Sequence, residues 1–271
     1  MLVKTYFMFG AFAALGLCSP LATGQGFCGT PDMDSGLQEE ARQQMDSAAI
    51  SAFAEAENIT VPTYFHVVAK DKTVAGGYLS LDQLNADYVG TGFSFDLVDI
   101  DWTVNKAWYT DHQNLEMRKT LRKGNYSSLN FYFMNSFEGG QATFPKSVTP
   151  GSNDFYRDGC YVSKDTVPGG SSETFSEGKV ASHEAGHWFL LYHTFQGGCS
   201  GSGDGVSDTP AEEIKGGAKG CPAGSDTCPD APGLDPIHNH MTYTADTCRN
   251  EFTPGQISRM KRAWNTYRSG K

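Results

Sequence analysis

His183, Glu184, His187 and His193 are the residues of this sequence whose types and spacing are best suited to chemistry. Side chains four apart share one face of a helix, so His183 and His187 can turn two imidazole nitrogens toward one metal ion. Glu184 then lies beside that ion, where a carboxylate can take a proton from water and hand it to a leaving amine. Three neutral imidazoles suit zinc, which in such a site acidifies water and polarises a carbonyl. The third histidine, His193, stands six residues beyond the second, and a straight helix does not carry it to the same ion. A sharp bend is therefore expected after Leu190 or Leu191. Histidines merely scattered on a half-buried helix are the competing reading. Three of the chain's seven histidines within eleven residues weigh against it.

The metal-binding segment needs a scaffold. Thr60–Ala69, Phe93–Ile100 and Leu129–Met134 are β-branched and aromatic runs that read as strands. Helical spacing predicts helices over Ser80–Tyr88 and Asp111–Lys123, the first opened by a serine cap. A further helix is expected from Glu177 to Tyr192, and a last one from Thr253 to Tyr267, with Thr253 as cap and Pro254 in its first turn. Strands alternating with helices place the fold in the α+β or α/β class. Between Gln196 and Pro236 lies a long stretch rich in Gly, Asp, Pro and Cys, which needs covalent staples.

At 271 residues, 39% hydrophobic and 19% charged, the chain can bury one sizeable domain plus an N-terminal extension. Residues 1–24 read as a secretory signal peptide: an early Lys4, an apolar run from Tyr6 to Cys18, and a small-residue end. Residues 25–57, with an amphipathic pattern from Leu37 to Ile50, read as a pro-segment or lead-in, and residues 58–271 as the catalytic domain. Secretion implies an oxidising compartment, and six cysteines remain after Cys18: Cys28, Cys160, Cys199, Cys221, Cys228 and Cys248. The sequons at Asn58 and Asn125 are expected to carry N-glycans. A formal charge of −10 with no basic cluster argues against nucleic-acid or anionic-lipid partners, and no later segment reads as a membrane span.

The run His183-Glu184-Ala185-Gly186-His187, continued to His193 and followed by Asn239-His240-Met241-Thr242-Tyr243, resembles the metzincin signature and its Met-turn. Pro168-Gly169-Gly170-Ser171, His187-Trp188-Phe189, the run from His193 to Cys199, and Val206-Ser207-Asp208-Thr209-Pro210 resemble the pappalysin, or cytophagalysin, branch. Within that branch the sequence resembles secreted fungal extracellular metalloproteases in particular, over about residues 55 to 270. The resemblance implies a metzincin-like α+β fold: a twisted mixed sheet with backing helices and a loop-rich, disulfide-stapled C-terminal subdomain. It implies a zinc endopeptidase that cleaves internal bonds of extracellular proteins. His183, His187 and His193 would be the ligands and Glu184 the general base. Met241 would be a packing floor beneath them, and Tyr243 either an oxyanion donor or a core residue. It also implies that Cys199 pairs with Cys228 and Cys221 with Cys248. Cys28 and Cys160 then either form a third disulfide, the preferred reading, or Cys28 acts as a latency thiol on the metal.

The sequence departs from the signature at Leu190, which stands where the family has glycine, and a left-handed leucine costs roughly 1–2 kcal/mol. An inactive homologue serving as a zinc- or protein-binding module is the rival that follows if this substitution displaces His193. Asp204, Asp208, Glu212 and Glu213 allow a calcium site, although a solvated acidic loop is the commoner outcome. Trp188, Phe189 and Phe195 read as core packing for the metal-binding helix, and His240 as a surface or packing residue.

Overall fold

The computed structural model describes residues 27–48, 58–72, 81–135, 139–214 and 220–271; the signal-peptide assignment lies outside them. Five strands form one sheet in the order β2-β1-β3-β5-β4. They span Ile59–Ala69 (β1), Phe93–Val104 (β2), Leu129–Met134 (β3), Gly140–Ala142 (β4) and Cys160–Ser163 (β5). All neighbours are parallel except β4, which runs antiparallel to β5 and forms one edge. Helices Ser35–Ala48 (α1), Leu81–Asp87 (α2), Leu115–Leu121 (α3), Asn153–Arg157 (α4), Lys179–Trp188 (α5) and Pro254–Ala263 (α6) complete the order. This is the mixed sheet with backing helices that the sequence led us to expect.

The long strand pair is buried at its start, at Phe93 and Phe95, and largely exposed along the rest of β2. Between Thr63 and Tyr64 the β1–β2 register slips, leaving Val98 as an extra residue. The slip keeps Phe93 and Phe95 on the same face as Ile100 and Trp102, because Val61 pairs with Phe95 and Phe65 with Ile100. The main core lies where α5 packs against this sheet, around Phe65, Phe131, Val162, Trp188 and Phe189.

Three elements were not foreseen from the sequence, and the metal-binding helix is shorter than expected. β4, α4 and β5 fall in a region whose glycines and prolines concealed them, and β4 is only three residues long. The metal-binding helix begins at Lys179, after a left-handed Gly178, and ends at Trp188, earlier than the periodicity suggested. The cause is Leu190, at φ 76° the one non-glycine residue in the left-handed region among those described. Leu190 N–H donates to the His187 carbonyl at 2.8 Å and Leu191 N–H to the Gly186 carbonyl at 2.9 Å. These two bonds are the reverse-turn cap that glycine ordinarily supplies.

Leu190 tolerates this conformation because its side chain is fully buried with Tyr126, Tyr192, Ala263 and Tyr267. Burial of a leucine contributes about 1.5–3 kcal/mol, enough to offset the strain. Leu190→Ala keeps the strain and loses the packing, whereas Leu190→Gly loses both. Both variants are expected to be less stable than the parent, with alanine the worse by about 1 kcal/mol. Denaturant unfolding checks this, and a glycine variant more stable than the parent would refute it.

Two disulfides secure the long loop. Cys199 is joined to Cys228 and Cys221 to Cys248, with Cα separations of 5.2 Å in both. Closing loops of this length removes about 3–4 kcal/mol of unfolded-chain entropy each in the loop-closure picture. The third pairing is corrected: Cys28 and Cys160 are both free thiols. Cys160 faces the core from β5, whereas Cys28 sits over the histidines. At the C-terminus, Thr253 caps α6 in a reciprocal box with Gln256. Arg268 then reaches back to bond Asp158 at 2.9 Å and the Trp188 carbonyl at 3.1 Å, tying the chain end to α5.

Candidate metal centre

α5 presents His183 and His187 on one face, and the turn at Leu190 returns His193 to meet them. The Nε2 atoms of His187 and His183 are 3.1 Å apart, as are those of His187 and His193. All three rings are buried. Each Nδ1 is engaged: His183 donates to the His240 carbonyl at 2.7 Å, His187 to the Leu191 carbonyl at 2.7 Å, and His193 to Asp32 Oδ1 at 3.0 Å. A carbonyl can only accept, so Nδ1 of His183 and of His187 carries the proton and each Nε2 turns a lone pair toward a common point. Burial holds His183 and His187 well below the usual histidine range, which keeps the rings uncharged. Convergent uncharged lone pairs with locked tautomers fit a zinc ion.

Glu184 comes from the next position of α5. Its Oε2 accepts from the Thr30 hydroxyl at 3.1 Å, while its Oε1 is buried with no partner. Burial pushes its carboxyl up to about 8, against bonds from Cys28 and Thr30 that lower it. Gly140 makes this placement possible, because a Cβ there would lie 2.7 Å from Glu184 Oε1. A second close approach fixes the floor. A Cβ on Gly186 would lie 2.4 Å from Met241 Sδ, so the glycine lets α5 settle directly on the fully buried Met241. The turn carrying Met241 is held by Asn239, whose side chain accepts from Met241 N–H and exchanges two bonds with Gln256 of α6.

Tyr243 brings its hydroxyl 3.2 Å from His193 Nε2 and donates to the Cys28 carbonyl at 3.2 Å. Burial raises its ionisation far above the usual range, so the phenol stays a donor. Phe195 is corrected from plain core packing. It is only partly buried, stacks on His193 at 4.6 Å and meets Tyr243 edge-on at 4.7 Å, forming a wall of the site. Trp188 and Phe189 are core residues. His240 is fully buried against Phe252, and its carbonyl orients His183.

The acidic loop spends its carboxylates separately. Asp204 accepts from Thr209 and Val206, Glu212 from Thr194, and Asp208 from Thr253 and Gly255 at the start of α6. No three of Asp204, Asp208, Glu212 and Glu213 bring ligand atoms within 4.8 Å of one another.

Across the histidines lies the segment that carries Cys28, a residue the sequence offered as a thiol at the metal only as the alternative to a disulfide. The segment's pairing with the edge strand and the roles of Thr30 and Asp32 gave no sequence signal. The chain from Phe27 to Thr30 runs alongside the edge strand in parallel, with Gly29 N–H donating to the Gly140 carbonyl and Gly140 N–H to the Phe27 carbonyl, both at 2.7 Å. This puts Cys28 Sγ 3.5 Å from His187 Nε2, and Cys28 with the three histidines forms one four-ligand cluster. Thr30 and Asp32 of the same segment bond Glu184 and His193. Met33 follows under the Tyr192 hydroxyl, 3.2 Å from it.

Comparison with known proteins agrees with this architecture. Residues 111–265 match the peptidase M43 family model, described as pregnancy-associated plasma protein-A. An extracellular metalloprotease of Colletotrichum graminicola is 48% identical, covering 84% of each chain. Extracellular metalloprotease 1 of Coccidioides posadasii is 43% identical over 96% of each. A Tannerella forsythia promirolysin mutant superposes with TM-score 0.65 at 23% identity, covering 88% of this chain and 94% of its own. Mature mirolysin in complex with a cleaved peptide gives 0.61 at 24% identity, covering 79% and 97%. The solved structures, at that identity, speak for the metzincin fold. The chain belongs to the pappalysin (M43) metallopeptidases, and it is an extracellular metalloendopeptidase. Among the described residues no helix is long and apolar enough to cross a membrane.

Proposed function

We propose that this protein is secreted as a latent zinc endopeptidase whose metal is held by His183, His187 and His193, and whose lead segment blocks the site with Cys28. The observation that carries the reading is the convergence of three Nε2 atoms, each histidine fixed through Nδ1, beside a buried carboxylate oxygen without a partner. Zinc in that position supplies Lewis acidity, lowering the pKa of water and polarising the carbonyl to be attacked. Glu184 accepts the proton of the attacking water at Oε1 and later delivers it to the departing amine. The Tyr243 phenol donates a hydrogen bond to the negative charge that develops on the carbonyl oxygen. Edge strand β4 offers main-chain bonds to an extended peptide, the bonds now made by Phe27 and Gly29.

In this reading residues 25–57 are a pro-segment following a signal peptide, and substrates are proteins or peptides outside the cell. Asn58 and Asn125, both exposed, carry N-glycans. Calcium has no place in the mechanism. Activated protein should cleave casein or gelatin, lose that activity in chelator and recover it with zinc. Cleavage that persists through exhaustive chelation and metal removal would refute the assignment.

A further inference from the structure

The pocket beside the histidines on the Tyr243 side has a lining that speaks to substrate choice, resting on the hydrolase reading above. Phe27 fills it and is 3% exposed. Its ring lies 4.4 Å from Phe175, 4.9 Å from His183 and 5.0 Å from Tyr243, centroid to centroid. The fourth side is the guanidinium of Arg249, 4.5 Å from the ring centroid. Phe27 immediately precedes Cys28, so its side chain occupies the space next to the catalytic atoms and not a remote groove.

Arg249 is fully buried; its two terminal nitrogens are engaged, while Nε has no partner. It is ion-paired with the buried Asp246 and also bonds the His240 carbonyl. The other oxygen of Asp246 accepts from Glu177 N–H at 2.9 Å, and Lys179 Nζ donates to the Arg249 carbonyl at 2.6 Å. The neighbouring disulfide at Cys248 fixes the backbone from which Arg249 projects. The Asp246 carboxylate is already spent on Arg249 and on Glu177 N–H, and the guanidinium repels a lysine or arginine side chain. An acidic side chain finds a cation whose charge Asp246 already balances. A planar aromatic ring finds two aromatic walls and a desolvated guanidinium face, whose attraction for the ring strengthens as water is excluded.

We infer that the active enzyme selects an aromatic residue beside the scissile bond, received by the Phe175, Tyr243 and Arg249 pocket that Phe27 fills in the latent chain. Arg249 is thereby a specificity-determining residue and Phe27 a built-in stand-in for the substrate side chain.

The test uses the full-length secreted protein, zinc-loaded and activated by limited proteolysis of its lead segment, on a peptide library of mixed sequence. Cleavage sites should be enriched at least about fivefold in Phe, Tyr or Trp on one side of the cut and depleted in Lys and Arg at that position. Enrichment of Lys and Arg, of Asp and Glu, or of no class there would overturn the inference while leaving the hydrolase intact. Absence of any chelator-sensitive cleavage would overturn the hydrolase and this inference with it. A second readout does not depend on turnover. Synthetic peptide 27–34 should bind the activated protein in calorimetry, with Phe27→Ala weakening it about tenfold and Phe27→Lys more. A lysine peptide that binds as tightly as the parent would contradict the pocket assignment. Arg249→Leu made together with Asp246→Asn removes both charges and should erase the preference for aromatic over aliphatic residues, and an unchanged preference would remove Arg249 from the role.

Discussion

Glu184→Gln should leave zinc bound at one equivalent and lower kcat by roughly 100- to 10,000-fold, the range that a positioned general base contributes. The reasoning is local. Glutamine matches glutamate in shape, so the packing against Gly140 survives and the bond from Thr30 can still be made. The amide cannot take a proton from water at the pH of the assay. The histidines do not depend on Glu184 for their orientation, since the Nδ1 bonds run to main-chain carbonyls and to Asp32. Metal analysis and steady-state kinetics on the same preparation check both halves. A variant that turns over normally would take Glu184 out of the mechanism, and one that loses zinc would show that its role is structural.

Cys28→Ser should convert unprocessed protein from silent to active, raising its activity at least about tenfold, which corresponds to loss of about 1.4 kcal/mol of inhibitory interaction. The thiol stands where a fourth ligand would complete the histidine set, and sulfur is a strong partner for zinc whereas a neutral hydroxyl is a weak one. Activation should stay incomplete. Phe27 still fills its pocket, Gly29 still pairs with β4, and Asp32 still bonds His193. Assay of the secreted full-length variant before and after removal of the lead segment separates the contributions. Equal latency in parent and variant would place the block in the pairing and packing of the segment, not in the thiol.

The metal-binding helix was legible because a four-residue spacing has one geometric meaning on a helix, and the bend was legible because a six-residue spacing has none without a turn. Leu190 was recognised as the strained position, but its compensation was not. The side chains that bury it come from Tyr126, Tyr192, Ala263 and Tyr267, which lie far apart in sequence apart from Tyr192. α6 could be placed from Thr253 and Pro254, since capping chemistry is local. β4 and β5 were missed: three and four residues are too few to show alternation, and β5 is buried on both faces. The preferred disulfide between Cys28 and Cys160 failed for a related reason, while the alternative of a thiol facing the histidines was left open. Even cysteine counts argue for pairing, but only the sheet shows that the backbone bonds of Gly140 aim Cys28 at His187. Arg249 gave no signal in sequence, because its meaning depends on the buried Asp246 and on the ring of Phe27.

X-ray absorption spectroscopy at the zinc edge, on full-length protein and on protein freed of its lead segment, addresses the metal set itself. The full-length form should show three nitrogen scatterers near 2.0–2.1 Å and one sulfur near 2.3 Å, about the distances zinc takes with imidazole and thiolate. In the processed form the sulfur should give way to oxygen while all three imidazoles remain. Fewer than three imidazoles in both forms, or a metal bound mainly by oxygen, would contradict a centre built from His183, His187 and His193.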